Sequence, residues 1–209
     1  MDPIQSINEM KLGILQEIGN IGAGNAATAL SHFVNQKIEM NVPVVRVISF
    51  HELMGLYGEP EQMVASVFLR IEGEITGSMF YVLPTDKASY FIRLLTGMEE
   101  VSLEEPPYPE LALSAFQEMG NIMAGTYLTA LSEFISMNLT PSVPEVGIDM
   151  FGAIISYGLL EISKVSDYAI MIDTVLKTET GENNGLINGH LFLLPDPESF
   201  EKIFRALGV

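Results

Sequence analysis

Shifting the sequence by 101 positions lays it over itself. Residues 16–34 read QEIGNIGAGNAATALSHFV and residues 117–135 read QEMGNIMAGTYLTALSEFI, with twelve of the nineteen positions identical. The register continues to Val42-Pro43, matched by Val143-Pro144. The ends of the halves match too. GSMFYVLP at 77–84 resembles GHLFLLP at 189–195, and an amphipathic stretch follows each, ending at Gly97 and Gly208. Those two glycines stand where helix C-caps belong. The chain is a tandem duplication, so whatever one half folds into, the other repeats.

Each half predicts the same order of elements. A long helix over 7–35 recurs over 110–138, and Ser6 with Glu9 makes a capping box for the first. An extended segment near Pro43 follows, then a short helical piece (50–57 and 149–157). Two β-rich runs come next, 63–72 with 75–83 and 168–177 with 186–194, and a terminal helix closes each half. The acidic, proline-rich stretch 99–109 (EEVSLEEPPYP) reads as the linker. The expected fold class is α+β: one domain built from two repeats, 1–98 and 110–209, related by a pseudo-two-fold axis. Its long helices pack on a largely antiparallel sheet.

Charge narrows the partners. Lys and Arg number 10 against 27 Asp and Glu, a formal net charge of −17. Phosphate backbones and anionic lipid surfaces repel such a chain, so neither nucleic acid nor membrane is an expected partner. With 48% hydrophobic and 18% charged residues, the composition is that of a folded domain rather than a disordered one. The N-terminus lacks a basic region before an apolar core, and runs such as GAIISYGLL are too short to span a bilayer. There is no Cys, and the three His are scattered, which removes disulfides, thiolate metal sites and a His-based zinc site. The expected protein is cytoplasmic and monomeric, binds other proteins and carries no cofactor of its own.

On a helical wheel at about 100° per residue, Leu12, Leu15, Gly19, Gly22, Ala26, Leu30 and Phe33 fall on one side of the first long helix. Glu17, Asn20, Gly24, Thr28 and Ser31 fall on the other. The second helix divides in the same way: Leu113, Phe116, Gly120, Met123, Tyr127, Leu131 and Phe134 oppose Glu118, Asn121, Gly125, Thr129 and Ser132. The first side is a core stripe. On the second, Glu17 with Asn20 and Glu118 with Asn121 are i,i+3 neighbours pointing the same way. Solvated residues have no packing reason to stay identical, yet this pair does so in both halves while flanking positions have drifted. Gly costs about 1 kcal/mol against Ala inside a helix. Gly19 and Gly22 offset that cost by close helix packing, and Gly24 and Gly125 by letting another protein's backbone approach. A phosphate-cradling reading of GNIGAG fails, because that loop needs a preceding strand and a helix start, and these glycines lie mid-helix.

A carboxamide both donates and accepts hydrogen bonds, so Asn20 and Asn121 can hold and orient a water. In phosphoryl transfer the work is mostly positioning and electrostatics, and an amide that orients the attacking water is a recurring device. A carboxylate one turn away, Glu17 or Glu118, can pair with a Lys on whatever carries the phosphoryl group. No Ser-His pair and no convergent set of titratable groups points to a small-molecule enzyme.

These residues resemble the signature of the CheC/CheX/FliY family of chemotaxis response-regulator phosphatases. That signature is Asp or Ser, three residues, Glu, two residues, Asn, twenty-two residues, Pro. The second half matches at Ser114, Glu118, Asn121 and Pro144. The first matches at Glu17, Asn20 and Pro43, with Gly13 at the Asp/Ser position. The resemblance spans essentially the whole chain. It implies hydrolysis of the aspartyl phosphate of CheY, with Asn20 or Asn121 orienting water, Glu17 or Glu118 pairing with a CheY lysine, and Mg²⁺ on CheY. It implies CheD as a second partner, docking on the segment that opens at Asp149 (DMFGAIISYGL). Phe151, Ile154 and Ile155 of that segment are equally candidates for the core. The alternative is a non-enzymatic adaptor that binds CheY or CheD without accelerating dephosphorylation.

Overall fold

The computed structural model describes residues 9–42, 44–56, 61–162, 168–179 and 185–208. Ser6, Pro43, Tyr57 and most of the TETGENN segment lie outside them. The first half runs α1 (Glu9–Val34), β1 (Ile38–Asn41), β2 (Val45–Ser49), α2 (Phe50–Met54), β3 (Met63–Gly73), β4 (Gly77–Pro84) and α3 (Thr85–Thr96). The second runs α4 (Glu110–Ile135), β5 (Leu139–Pro141), β6 (Glu145–Met150), α5 (Phe151–Ile162), β7 (Tyr168–Thr178), β8 (Leu186–Pro195) and α6 (Pro197–Ala206). A capping box of Ser49 and Glu52 starts α2. Gly97 (φ 70) and Gly208 (φ 74) both adopt the left-handed conformation just past the terminal helices, as their positions in the sequence predict.

The strands form one antiparallel sheet in the order β1-β7-β8-β4-β3-β5, with β2 also on β7 and β6 also on β3. Each hairpin, β3–β4 or β7–β8, is extended by strands of the other repeat. β1 and β2 lie end to end along β7, and β5 and β6 along β3. The two hairpins meet at β4 and β8, where Phe80 pairs with Phe192. These two phenylalanines occupy equivalent places in the matched GSMF and GHLF segments, so the pseudo-two-fold axis passes beside them.

Side chains alternate along the central strands. Met79, Tyr81 and Leu83 join one core with Leu191 and Leu193, beneath α1, α3, α4 and α6. Phe80, Val82, Phe192 and Leu194 join a second core on the opposite face, with Leu53 of α2 and Phe151 and Ile155 of α5. Phe151 and Ile155 are therefore core residues, while Ile154 is only partly buried. The seam is docked rather than free. Val101 and Leu103 are buried, Arg93 donates to the Val101 carbonyl at 2.9 Å, and the Leu103 N–H donates to Ser89 at 2.8 Å.

On the α2/α5 face, Asp173 joins an imidazole and a guanidinium. His190 Nδ1 lies 2.8 Å from Asp173 Oδ1 and Arg46 Nη2 lies 3.6 Å from Asp173 Oδ2. Burial holds the His190 imidazole below its ordinary 6.5, with Asp173 pulling the other way. The unfolded chain thus takes up this proton more readily than the native one, and stability declines as pH drops below about 6.5. Replacing His190 by Gln removes that contribution. Between roughly pH 7.5 and 5.5 the variant's melting temperature should fall less than the wild type's; equal falls in thermal denaturation would contradict the assignment.

Candidate functional site

Both long helices form where the pattern places them, and the GNIGAG run lies in mid-helix, away from any strand-to-helix turn. The core stripes are Leu15, Gly19, Gly22, Ala26 and Leu30 on α1, and Phe116, Gly120, Met123, Tyr127 and Leu131 on α4. Leu12 and Leu113 are half-buried. Phe33 and Phe134 depart from the expected stripe. They are 46% and 44% exposed, while the next residue along each helix turns inward instead: Ile135 is buried and Val34 packs against the core. Gly22 serves close packing, since a Cβ there would sit 3.1 Å from the Tyr127 Cα on the facing helix.

The outer faces separate into two groups. Thr28 and Thr129 donate back to the carbonyls of Gly24 and Gly125, at 3.0 and 2.8 Å. Ser31 donates to the Ala27 carbonyl at 2.6 Å and accepts from the Ile38 N–H at 2.9 Å, tying α1 to β1. Ser132 donates to the Met137 carbonyl, just before β5. These hydroxyls therefore have structural work that accounts for their presence in both repeats. Glu17, Asn20 and Glu118 are exposed and Asn121 is half-exposed. Among the described residues, none of these four side chains makes a hydrogen bond or ion pair. Gly24 and Gly125 face open space, with nothing within 4 Å of a Cβ built at either. Carboxylate, carboxamide and bare backbone thus lie along one unobstructed strip of each helix, and the repeat keeps all three with no internal contact that requires them.

One residue escaped the motif reading. Gln117 is half-buried and donates through Nε2 to the Pro144 carbonyl at 2.7 Å, fastening the segment between β5 and β6 to α4 beside Glu118 and Asn121. The signal was present, since Gln16 and Gln117 are identical in the repeat. The structure also relocates Asp149. It is exposed but stands on β6, before the helix that starts at Phe151. It lines a cleft of about 340 Å³ with Phe68, Phe80, Glu145 and Ile154, on the sheet face opposite α1 and α4. Asp149 is thus remote from the Glu-Asn strips. Among the described residues no three His, Asp or Glu side chains come together as a metal-holding group, and no helix is long and apolar enough to cross a membrane.

The CheC-like family model matches residues 10–47 and 111–148, once in each repeat and over both strips. The chain is 46% identical over 208 residues to the CheY-P phosphatase CheC of Bacillus subtilis, covering 100% of this chain and 99% of that one. It is 34% identical over 143 residues to the flagellar motor switch phosphatase FliY of the same organism, covering 68% of this chain and 37% of FliY. The crystal structure of Thermotoga maritima FliY shares the fold, with a TM-score of 0.76 at 22% identity over 97% of this chain and 98% of that one.

Proposed function

The chain belongs to the CheC-like family, and from that premise we propose that it hydrolyses the aspartyl phosphate of CheY at two helix-borne sites, Glu17 with Asn20 and Glu118 with Asn121. One observation carries the reading: the four side chains are turned outward and unspent within the chain, on strips that the duplication preserves. An enzyme whose substrate is a protein needs its polar groups in that state. A side chain already bonded to its own backbone would have to give up that bond to act.

The chemistry follows from the groups. When α1 or α4 lies over the phosphorylated CheY surface, the Asn carboxamide holds a water by accepting a hydrogen bond from one of its O–H groups at the carbonyl oxygen. That fixes a lone pair in line with the phosphorus. Attack forms the new phosphorus–oxygen bond as the bond to the aspartyl oxygen breaks, releasing inorganic phosphate and a free carboxylate on CheY. Glu17 or Glu118 pairs with a CheY lysine and sets the register of docking. In this proposal Mg²⁺ belongs to CheY. Gly24 and Gly125, one turn from each Asn, let the CheY backbone come close. The reading takes the protein as a cytoplasmic monomer in which one chain supplies both sites. Decay of phosphorylated CheY, measured with Asn20→Ala, Asn121→Ala and both together, tests the assignment.

The same proposal gives CheD the opposite face. Asp149 and Glu145 edge the cleft beside α5, and a basic patch on CheD would match them. Asp149→Lys should weaken CheD binding at least about tenfold, one charge contact across an interface being worth that much. It should leave CheY-P decay at the wild-type rate. Loss of both activities together would place the two partners on one surface and contradict this arrangement.

A further inference from the structure

The two strips are not equivalent, and the difference lies beside them. Val42 and Val143 hold the same place in the repeat, yet Val42 is buried at 4% exposure, whereas Val143 is 80% exposed. The reason is packing. Gly19 on α1 faces Val42, with 3.4 Å from a built Cβ to a valine methyl, whereas the equivalent Gly120 on α4 faces Val67 of β3 instead. Val143 is left outside, on a segment that Gln117 holds through the Pro144 carbonyl. Gln117 lies one turn before Asn121, and as i,i+4 neighbours the two lie along the same side of the helix. The segment 142–144 therefore flanks the second strip as a wall, anchored at one end by an amide and carrying an aliphatic side chain in water. The Ser142 N–H donates to the Arg70 carbonyl at 2.9 Å and its hydroxyl accepts from the Arg70 N–H at 2.9 Å, so the wall is also fixed to β3.

We propose that Gln117 is a positioning residue that holds Val143 as an apolar wall against docked, phosphorylated CheY, making the second site the tighter of the two. The inference rests on the reading of Glu118 and Asn121 given above. Continuity with that strip names the occupant, because any protein lying over Asn121 must also lie against the segment that Gln117 fastens there. A wall of this kind acts on binding and leaves the chemical step to Asn121.

The test uses full-length chains with one site disabled. Asn20→Ala leaves the second site alone and Asn121→Ala leaves the first, and the KM for phosphorylated CheY should be lower for the second. In the Asn20→Ala chain, Val143→Lys and Gln117→Met should each raise KM several-fold, with kcat within about twofold, a split that a general loss of structure would not produce. Val143→Lys changes an exposed side chain, so it remains informative if Gln117→Met folds poorly. An unchanged KM in Val143→Lys, or equal KM values for the two sites, would overturn the inference while leaving the Asn assignment intact. Full activity in a chain lacking both Asn would instead overturn the assignment itself.

Discussion

A chain carrying both Asn20→Ala and Asn121→Ala should lose its acceleration of CheY-P decay, by about 100-fold or more. That is the scale on which loss of correct positioning of a reactant is felt. Each single variant should retain the activity of the remaining site. Stability should not fall with activity. Asn20 is exposed and Asn121 half-exposed, neither has a partner among the described residues, and alanine is the better helix former by roughly half a kcal/mol. The signature is an inactive protein that melts at or above the wild-type temperature and still binds CheY. Full activity in the double variant would remove the basis for both sites. Binding of CheY with no acceleration by the unaltered chain would instead favour an adaptor.

Gly120→Ala should destabilise the fold by about 2 kcal/mol. A Cβ at this position would lie 2.3 Å from Val67 Cγ2 and 2.4 Å from its Cβ. Valine is stiff at χ1 and cannot swing its branch point away. Overpacking a core costs about 1–3 kcal/mol and occasionally more, and an approach this short belongs at the upper end, about 3 kcal/mol, against a gain of about 1 kcal/mol from helix propensity. For a chain of this length the melting temperature should drop by roughly 4–8 °C. Gly19→Ala at the equivalent place in α1 is the control. There the nearest atom is a methyl of Val42 at 3.4 Å, an ordinary contact, so that variant should be neutral or slightly more stable. Equal melting temperatures for the two would show that α4 does not sit on β3 as closely as described.

Gly19 and Gly120 also mark how far the sequence could be read. Their identity in the repeat suggests close packing on both helices, yet of the two only Gly120 is tightly packed, and Gly19 keeps ordinary contact distance from Val42 and Ile172. That identity did not announce that α4 would press on Val67 and α1 lie against Val42, because that depends on how the repeats dock, and docking is decided by contacts between halves. The Glu-Asn strips were legible because a helix has a fixed period and an i,i+3 pair on each long helix settles which way its two side chains point. Ser31 and Thr28 share that face and that identity, and only hydrogen-bond geometry separates their structural role from the unspent groups beside them. Phe33 stands at the edge of the stripe, and at the end of the helix it is its neighbour Val34 that packs against the core, as Ile135 does in α4. Gln117 was visible as an identity but not as a tether, since its partner carbonyl is 27 residues away. The sequence places Asp149 on a helix, because β6 runs straight into α5 with no turn residue between them.

The cross-repeat pairing of β1 and β2 with β7, and of β5 and β6 with β3, has a consequence for how such a chain could be cut or could have arisen. Neither half alone covers the flank of its own long hairpin strand, so a fragment ending near residue 98 would expose unsatisfied amides along β3 and leave its own β1 and β2 without a mate. Two complementary polypeptides produced in the same cell should recognise one another and restore the whole, each supplying the border the other lacks. An ancestor with one copy would have met the same need by associating with its twin, and fusing two such genes would make that association permanent.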